Sequence, residues 1–158
     1  MKDKELKAYR SGLRYLGPRP RSVAELRQNL LKKNFSSDTV ENTVERLKDE
    51  KLLDDTAFAK EFVRNRERLK PKSKRALKYE LFAKGVDEQA IEDALACVDE
   101  YESAINAVRK KAIMWEHLDK ETFKKKIFSF LKTRGFNFDV SMNTYKQLAK
   151  EAGKNEGL

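Results

Sequence analysis

The 158-residue chain has one cysteine, one histidine, three prolines and six glycines. A single cysteine, Cys97, excludes an internal disulfide and any cysteine-based metal cluster. Its expected place is in the core, as a small apolar side chain. A single histidine, His117, removes paired-histidine metal sites, and beside Trp115 it reads as a surface or packing residue. No stretch approaches the roughly 20 apolar residues of a membrane span. The opening MKDKELKAYRSGLRYL has no apolar stretch of a secretory signal, and Asp3 and Glu5 do not suit a transit peptide. The expected location is the cytoplasm. The glycines are scattered, so there is no phosphate-cradling loop. Asp54-Asp55 would need further converging carboxylates to hold a catalytic metal, and capping of a helix accounts for them. Ser36-Ser37 and Asp87 also stand at helix-capping positions. The acidic stretch 87–102 lacks the glycine and ligand spacing of a calcium loop. These absences describe a protein with no catalytic site, metal or cofactor.

What is present is helix-forming sequence. Lys, Glu, Leu and Ala are plentiful and turn-breaking residues few. Charged residues make up 39% and mean hydropathy is −0.80, so the apolar side chains must lie on narrow stripes. The expected fold is all-α: an extended array of tandem three-helix repeats with eight to nine helices in total. The net charge of +9 suits a polyanionic partner.

Periodicity places an opening helix over residues 4–16, with Leu6, Tyr9, Leu13 and Leu16 on one stripe, ended by Gly17-Pro18. Ser22 with Glu25 forms a capping box for a helix carrying Leu26 and Leu30 and ending at Asn34. A helix with Val40, Val44 and Leu47 follows. A third starts at Asp54-Asp55, buries Phe58, Phe62 and Leu69, and stops at Pro71. The pattern then repeats. Leu26, Leu30, Lys33, Asn34 and Phe35 align with Leu77, Leu81, Lys84, Gly85 and Val86, and with Ile127, Leu131, Arg134, Gly135 and Phe136. In each copy a cation closes the helix, Gly or Asn makes the turn, and an apolar residue folds back. The second copy continues with Ile91, Leu95 and Val98, then with Tyr101, Ile105, Val108 and Ala112. The period is about 50 residues. The expected organisation is a lead-in helix and linker (1–21), repeat one (22–71), repeat two (72–118), and a degenerate repeat (119–158) without its last helix.

Charge follows the same frame. Residues 56–75 carry eight cations against Glu61 and Glu67, and residues 120–136 carry six against Glu121. Residues 87–102 hold seven acids and no base. If leading helices align, their cations form a stripe suited to phosphate or to an acidic protein groove. The candidate contact residues are Arg19, Arg21, Arg64, Arg66, Arg68, Lys70, Lys72, Lys74, Arg75, Lys78, Lys124, Lys125, Lys132 and Arg134. The competing use is internal, acidic helices pairing with basic ones. Surface pairs stabilise by only about 0–1 kcal/mol, which favours the stripe. Aromatic residues do not interleave with the basic runs along the sequence. Contact with backbone phosphate or with a protein groove therefore fits better than base stacking.

Several blocks resemble the RecX family. They are Arg19-Pro20-Arg21-Ser22 followed by Glu25-Leu26 and Leu30, and Leu52-Leu53-Asp54-Asp55 leading into Phe58-Ala59, Phe62-Val63 and Arg66. Glu80-Leu81, Lys84-Gly85-Val86 and Arg134-Gly135-Phe136 complete the ordered set, with Asn34 standing where glycine is usual. The resemblance implies a curved array of three-helix repeats. It would act as a monomer in the groove of the RecA–DNA filament and inhibit ATP hydrolysis, strand exchange and coprotease activity in DNA repair and the SOS response. The alternative is a general DNA-binding protein of helix-turn-helix outline acting on bare DNA. The acidic second helices weigh against it.

Overall fold

The computed structural model describes residues 2–154. Among these the chain forms nine helices: α1 (Lys2–Leu16), α2 (Val23–Lys32), α3 (Ser37–Asp49), α4 (Asp55–Leu69), α5 (Lys74–Ala83), α6 (Glu88–Leu95), α7 (Glu100–Met114), α8 (Lys120–Thr133) and α9 (Phe138–Glu151). No described helix is long and apolar enough to cross a membrane. The helices belong to two compact units, Met1–Phe62 with Glu80–Ala94 and Val63–Tyr79 with Leu95–Leu158. Helices α4 and α5 therefore contribute residues to both.

In the first unit α1, α2 and α3 pack on one another. Val23, Leu26, Leu30, Val40, Val44, Leu47 and Leu53 form the core. The buried face of α1 is not the leucine stripe expected from periodicity. Leu6 and Leu13 are exposed, whereas Ala8, Ser11 and Gly12 are buried. The reason is close approach: a Cβ on Gly12 would stand 3.1 Å from Leu47 Cδ1. Small residues form the seam and Tyr9, Tyr15 and Leu16 flank it. In the second unit α7, α8 and α9 pack together around Val108, Phe123, Ile127, Leu131, Phe136, Tyr145 and Leu148. Packing thus groups α1 with α2 and α3, whereas periodicity opens its repeat at α2. Helical stripes do not show whether the odd helix leads or trails.

The aligned turns share one geometry. Asn34, Gly85 and Gly135 have φ of 68°, 74° and 88°. In each turn the following apolar residue, Phe35, Val86 or Phe136, donates its N–H to the carbonyl of Leu30, Leu81 or Leu131 at 3.0–3.3 Å. This left-handed reversal satisfies carbonyls that a helix end would leave unpaired.

The starts of the third helices repeat as well, by a device the spacing concealed. Asp54 accepts hydrogen bonds from the N–H groups of Thr56 and Ala57, and Asp99 accepts them from Tyr101 and Glu102. The next acid reaches across to another helix. Asp55 accepts the N–H of Val23 at 2.9 Å, and Glu100 that of Lys74 at 3.1 Å. Each acid pair therefore caps its own helix and the start of α2 or α5.

Three further expectations are corrected. Leu69 is 68% exposed, because α4 ends there and its last turn faces solvent. Cys97 is exposed, since α6 stops at Leu95 and leaves it in the following turn. Tyr101 is exposed, and the buried side of α7 is Ala104, Val108 and Ala112.

Candidate nucleic-acid interface

The charge divides sharply between the units. The first contains 15 lysines and arginines against 16 acids, the second 20 against 10, so the second carries the whole net positive charge. Twelve of the fourteen candidate cations fall in it, all but Arg19 and Arg21.

Within this unit the two basic runs meet. The C-terminal end of α8 rests on the loop before α5. Ser73 N–H donates to the Arg134 carbonyl at 3.0 Å, and the Arg134 guanidinium donates to the Pro71 carbonyl at 3.1 Å. A Cβ on Gly135 would stand 2.6 Å from Ser73 Oγ, so only glycine allows this approach. The contact brings the segment holding Lys70, Lys72, Lys74 and Arg75 to the segment ending in Lys132 and Arg134. Arg68, Lys70, Arg75, Lys78, Lys125 and Lys132 are exposed, and Arg66, Lys72 and Lys74 are half-buried. Arg64 is exposed, and Arg64, Arg66 and Lys72 each take part in a further interaction.

A sister junction stands in the first unit, where the end of α5 rests on the start of α2. Ser22 Oγ donates to the Lys84 carbonyl at 2.7 Å, and a Cβ on Gly85 would lie 2.4 Å from Ala24 Cβ. Here two cations share one carboxylate. Glu25 receives Arg19 at 3.2 Å and Lys84 at 3.6 Å. Partial burial works against ionisation of Glu25, but the Ser22 N–H and these two cations outweigh it and hold its pKa below the ordinary value.

Several candidate cations hold contacts within the fold. Arg19 is paired with Glu25, and Arg21 donates to the Tyr15 carbonyl and lies 4.2 Å over the Tyr15 ring. Arg134 is half-buried over Phe130, and burial pushes its pKa down. Lys124 lies over Phe128 and Tyr145. The solvent-facing candidates are Arg64, Arg68, Lys70, Arg75, Lys78, Lys125 and Lys132.

The separation of aromatic and basic residues seen along the sequence does not hold in space. Tyr79 is 77% exposed one turn on from Arg75 in α5, and Phe82 is exposed one turn further. Trp115 is half-buried with Lys126 Nζ 5.6 Å from its ring centroid, whereas Tyr145 is buried. Among the described residues no group of three or more potential ligands is placed to hold a metal ion.

Fold and surface define an all-helical protein of tandem three-helix domains whose candidate site is a charged face. Residues 8–47 match the family model described as the first three-helix domain of RecX, and residues 54–95 match the second. "Regulatory protein RecX" of Prosthecochloris aestuarii is 38% identical over 142 residues, covering 90% of this chain and 93% of its own. The protein of the same name from Clostridium perfringens is 30% identical over 151 residues, covering 92% and 70%. The crystal structure of RecX from Lactobacillus salivarius superposes with a TM-score of 0.83 at 25% identity, covering 95% of this chain and 99% of that one. The chain belongs to the RecX family.

Proposed function

We propose that this protein regulates the RecA recombinase by binding the RecA–DNA filament in its groove. It lowers RecA's ATP hydrolysis, strand exchange and coprotease activity, and works as a monomer in the cytoplasm. The observation that carries the reading is the concentration of charge. All the net positive charge lies in one compact unit, where the start of α5 and the end of α8 bring two distant basic runs into contact. Phosphates of the filament's DNA and acidic patches of its protein suit such a face. Membership of a family whose members are named regulatory proteins supports the same reading.

The test reverses exposed charges. The variant Arg68→Glu, Lys70→Glu, Arg75→Glu, Lys78→Glu keeps its helical circular dichroism and loses inhibition of DNA-stimulated ATP hydrolysis by RecA. Wild-type protein in several-fold excess over RecA at moderate salt lowers that hydrolysis. If it does not, the reading fails. A gel shift on bare DNA over a salt series examines general DNA binding. Affinity sufficient to act without RecA would favour that alternative.

A further inference from the structure

A groove of about 430 Å³ runs along one flank of α8, within the size range of small-ligand sites. Its floor is a single helical face: Thr122, Lys125, Lys126, Ser129, Phe130 and Thr133 recur at helical spacing. Trp115, at the C-terminal cap of α7, forms the wall. The indole meets Phe130 edge-to-face at 6.3 Å between centroids, and the Arg134 guanidinium covers the Phe130 ring at 4.7 Å. Phe130 thus buttresses the indole. Among the described residues no carboxylate lines the groove. Lys125 and Lys126 are exposed at its edge, and Lys132 lies two turns on from Lys125 along the same helix.

This combination selects a ligand with a flat apolar part and a negative charge close to it. A fixed aromatic plane stacks any base, ammonium groups take phosphates, and the Ser129 hydroxyl serves sugar or phosphate oxygen. We infer that this groove stacks one base of single-stranded DNA on Trp115, with Lys125 and Lys126 on the adjoining phosphates. The inference deepens the proposed function and rests on its DNA contact. A strand fits better than a free nucleotide, because the cations continue past the groove to Lys132. Lys126 Nζ, now over the indole, sits on a flexible stem that gives way to the base and turns to phosphate.

Trp115 is the only tryptophan, so its emission reports the groove directly. The full chain is titrated with oligo(dT), with an abasic strand of equal length, and with thymidine monophosphate. Anisotropy of labelled oligo(dT) is followed in parallel. Oligo(dT) quenches Trp115 emission to saturation and the abasic strand does not. Trp115→Ala weakens oligo(dT) binding about tenfold, and Trp115→Phe largely keeps it. Lys125→Gln with Lys126→Gln, both at exposed positions, also weakens binding and flattens its salt dependence. Binding seen by anisotropy with unchanged emission would overturn the groove and leave the proposed function standing. Equal quenching by the abasic strand would overturn stacking. Equal quenching by the mononucleotide at matched nucleotide concentration would overturn the strand. Absence of DNA binding together with absence of any effect on RecA would remove the proposed function as well.

Discussion

The Asp55 carboxylate accepts the backbone N–H of Val23 at 2.9 Å, tying the first residue of α4 to the first residue of α2. Glu100 does the same for Lys74 at 3.1 Å, tying α7 to α5. An N-terminal N–H has no partner inside its own helix, and the positive end of the helix dipole favours a carboxylate there. Asp55→Ala or Glu100→Ala should each cost about 1 kcal/mol. That corresponds to a fall in Tm of about 2–4 °C. Asp54→Ala and Asp99→Ala should cost a similar amount by uncapping α4 and α7 themselves. Thermal and urea denaturation of the four variants checks this, and a neutral Asp55→Ala would show the cross-helix bond to be incidental.

Asn34, Gly85 and Gly135 share a backbone conformation but not a neighbourhood. A Cβ on Gly85 meets Ala24, one on Gly135 meets Ser73, and the side chain of Asn34 is exposed. Asn34→Gly should therefore change stability by less than about 1 kcal/mol. Gly85→Ala should cost about 2–4 kcal/mol, from left-handed strain together with the clash. Adding Ala24→Gly should recover part of that loss, because it removes the clashing atom and leaves the strain. A double-mutant cycle in urea separates the two contributions, and strict additivity would contradict the contact.

This neighbourhood marks where sequence reasoning stopped. The triplicate cation, Gly or Asn, and apolar signature is a local pattern, so the turns, the caps and the all-helical fold could be read directly. What each turn packs against is set by distant residues such as Ala24 and Ser73, and no periodicity reports them. The buried face of α1 was missed for a related reason. Hydropathy seeks large apolar side chains, whereas a close helix crossing selects Ala8, Ser11 and Gly12. The basic runs were legible as composition. Their meeting at Arg134 and Pro71, and the placement of Trp115 beside Lys126, needed the fold.

Two glutamates should give opposite pH dependences. Burial raises the pKa of Glu67, the hydrogen bond from Ser103 Oγ at 2.5 Å opposes the rise, and the neighbouring Glu102 carboxylate adds to it. An acid raised in the folded state binds more protons there than when unfolded. Its contribution is fully present below the unfolded value of about 4.5 and is lost as pH rises through the folded one. Glu67→Gln, which stays neutral, should therefore gain stability on wild type at pH 7 and lose that advantage near pH 4. Glu25 is lowered, so its contribution is present above about 4.5 and disappears as pH falls through the folded value. Glu25→Gln should be less stable than wild type at pH 7, with the gap closing in acid. Urea titrations at several pH values measure both, and parallel curves for either variant would contradict the assignment.

Cys97 is the only thiol and is exposed in the turn after α6. It should react with a maleimide or an aromatic disulfide in the native state, in one equivalent and at a rate little changed by denaturant. Protection of the native thiol by more than about tenfold would mean that the turn is closed, with Cys97 held in the core as a small apolar residue.

Lys132 and Arg134 stand two residues apart at the end of α8 and should fail differently when removed. The Arg134 guanidinium is half-buried, donates to the Pro71 carbonyl and covers Phe130. Arg134→Ala would leave that carbonyl without its donor and uncover the ring, costing about 1–3 kcal/mol. Lys132 is exposed, so Lys132→Ala should leave Tm within about 1 °C, as surface substitutions do. On the proposed function the ranking inverts for ligand. Lys132→Ala lowers the salt dependence of binding to DNA or to the RecA filament by about one counterion, at full helical content. Arg134→Ala reduces binding chiefly through loss of folded protein, and a stabilising osmolyte restores it. Denaturation curves read beside a salt-series binding isotherm separate a cation that holds the α8 end on the loop before α5 from one that meets phosphate. If Lys132→Ala left the salt slope unchanged while Arg134→Ala lowered it without loss of stability, the division of these cations into structural and contacting groups would be reversed.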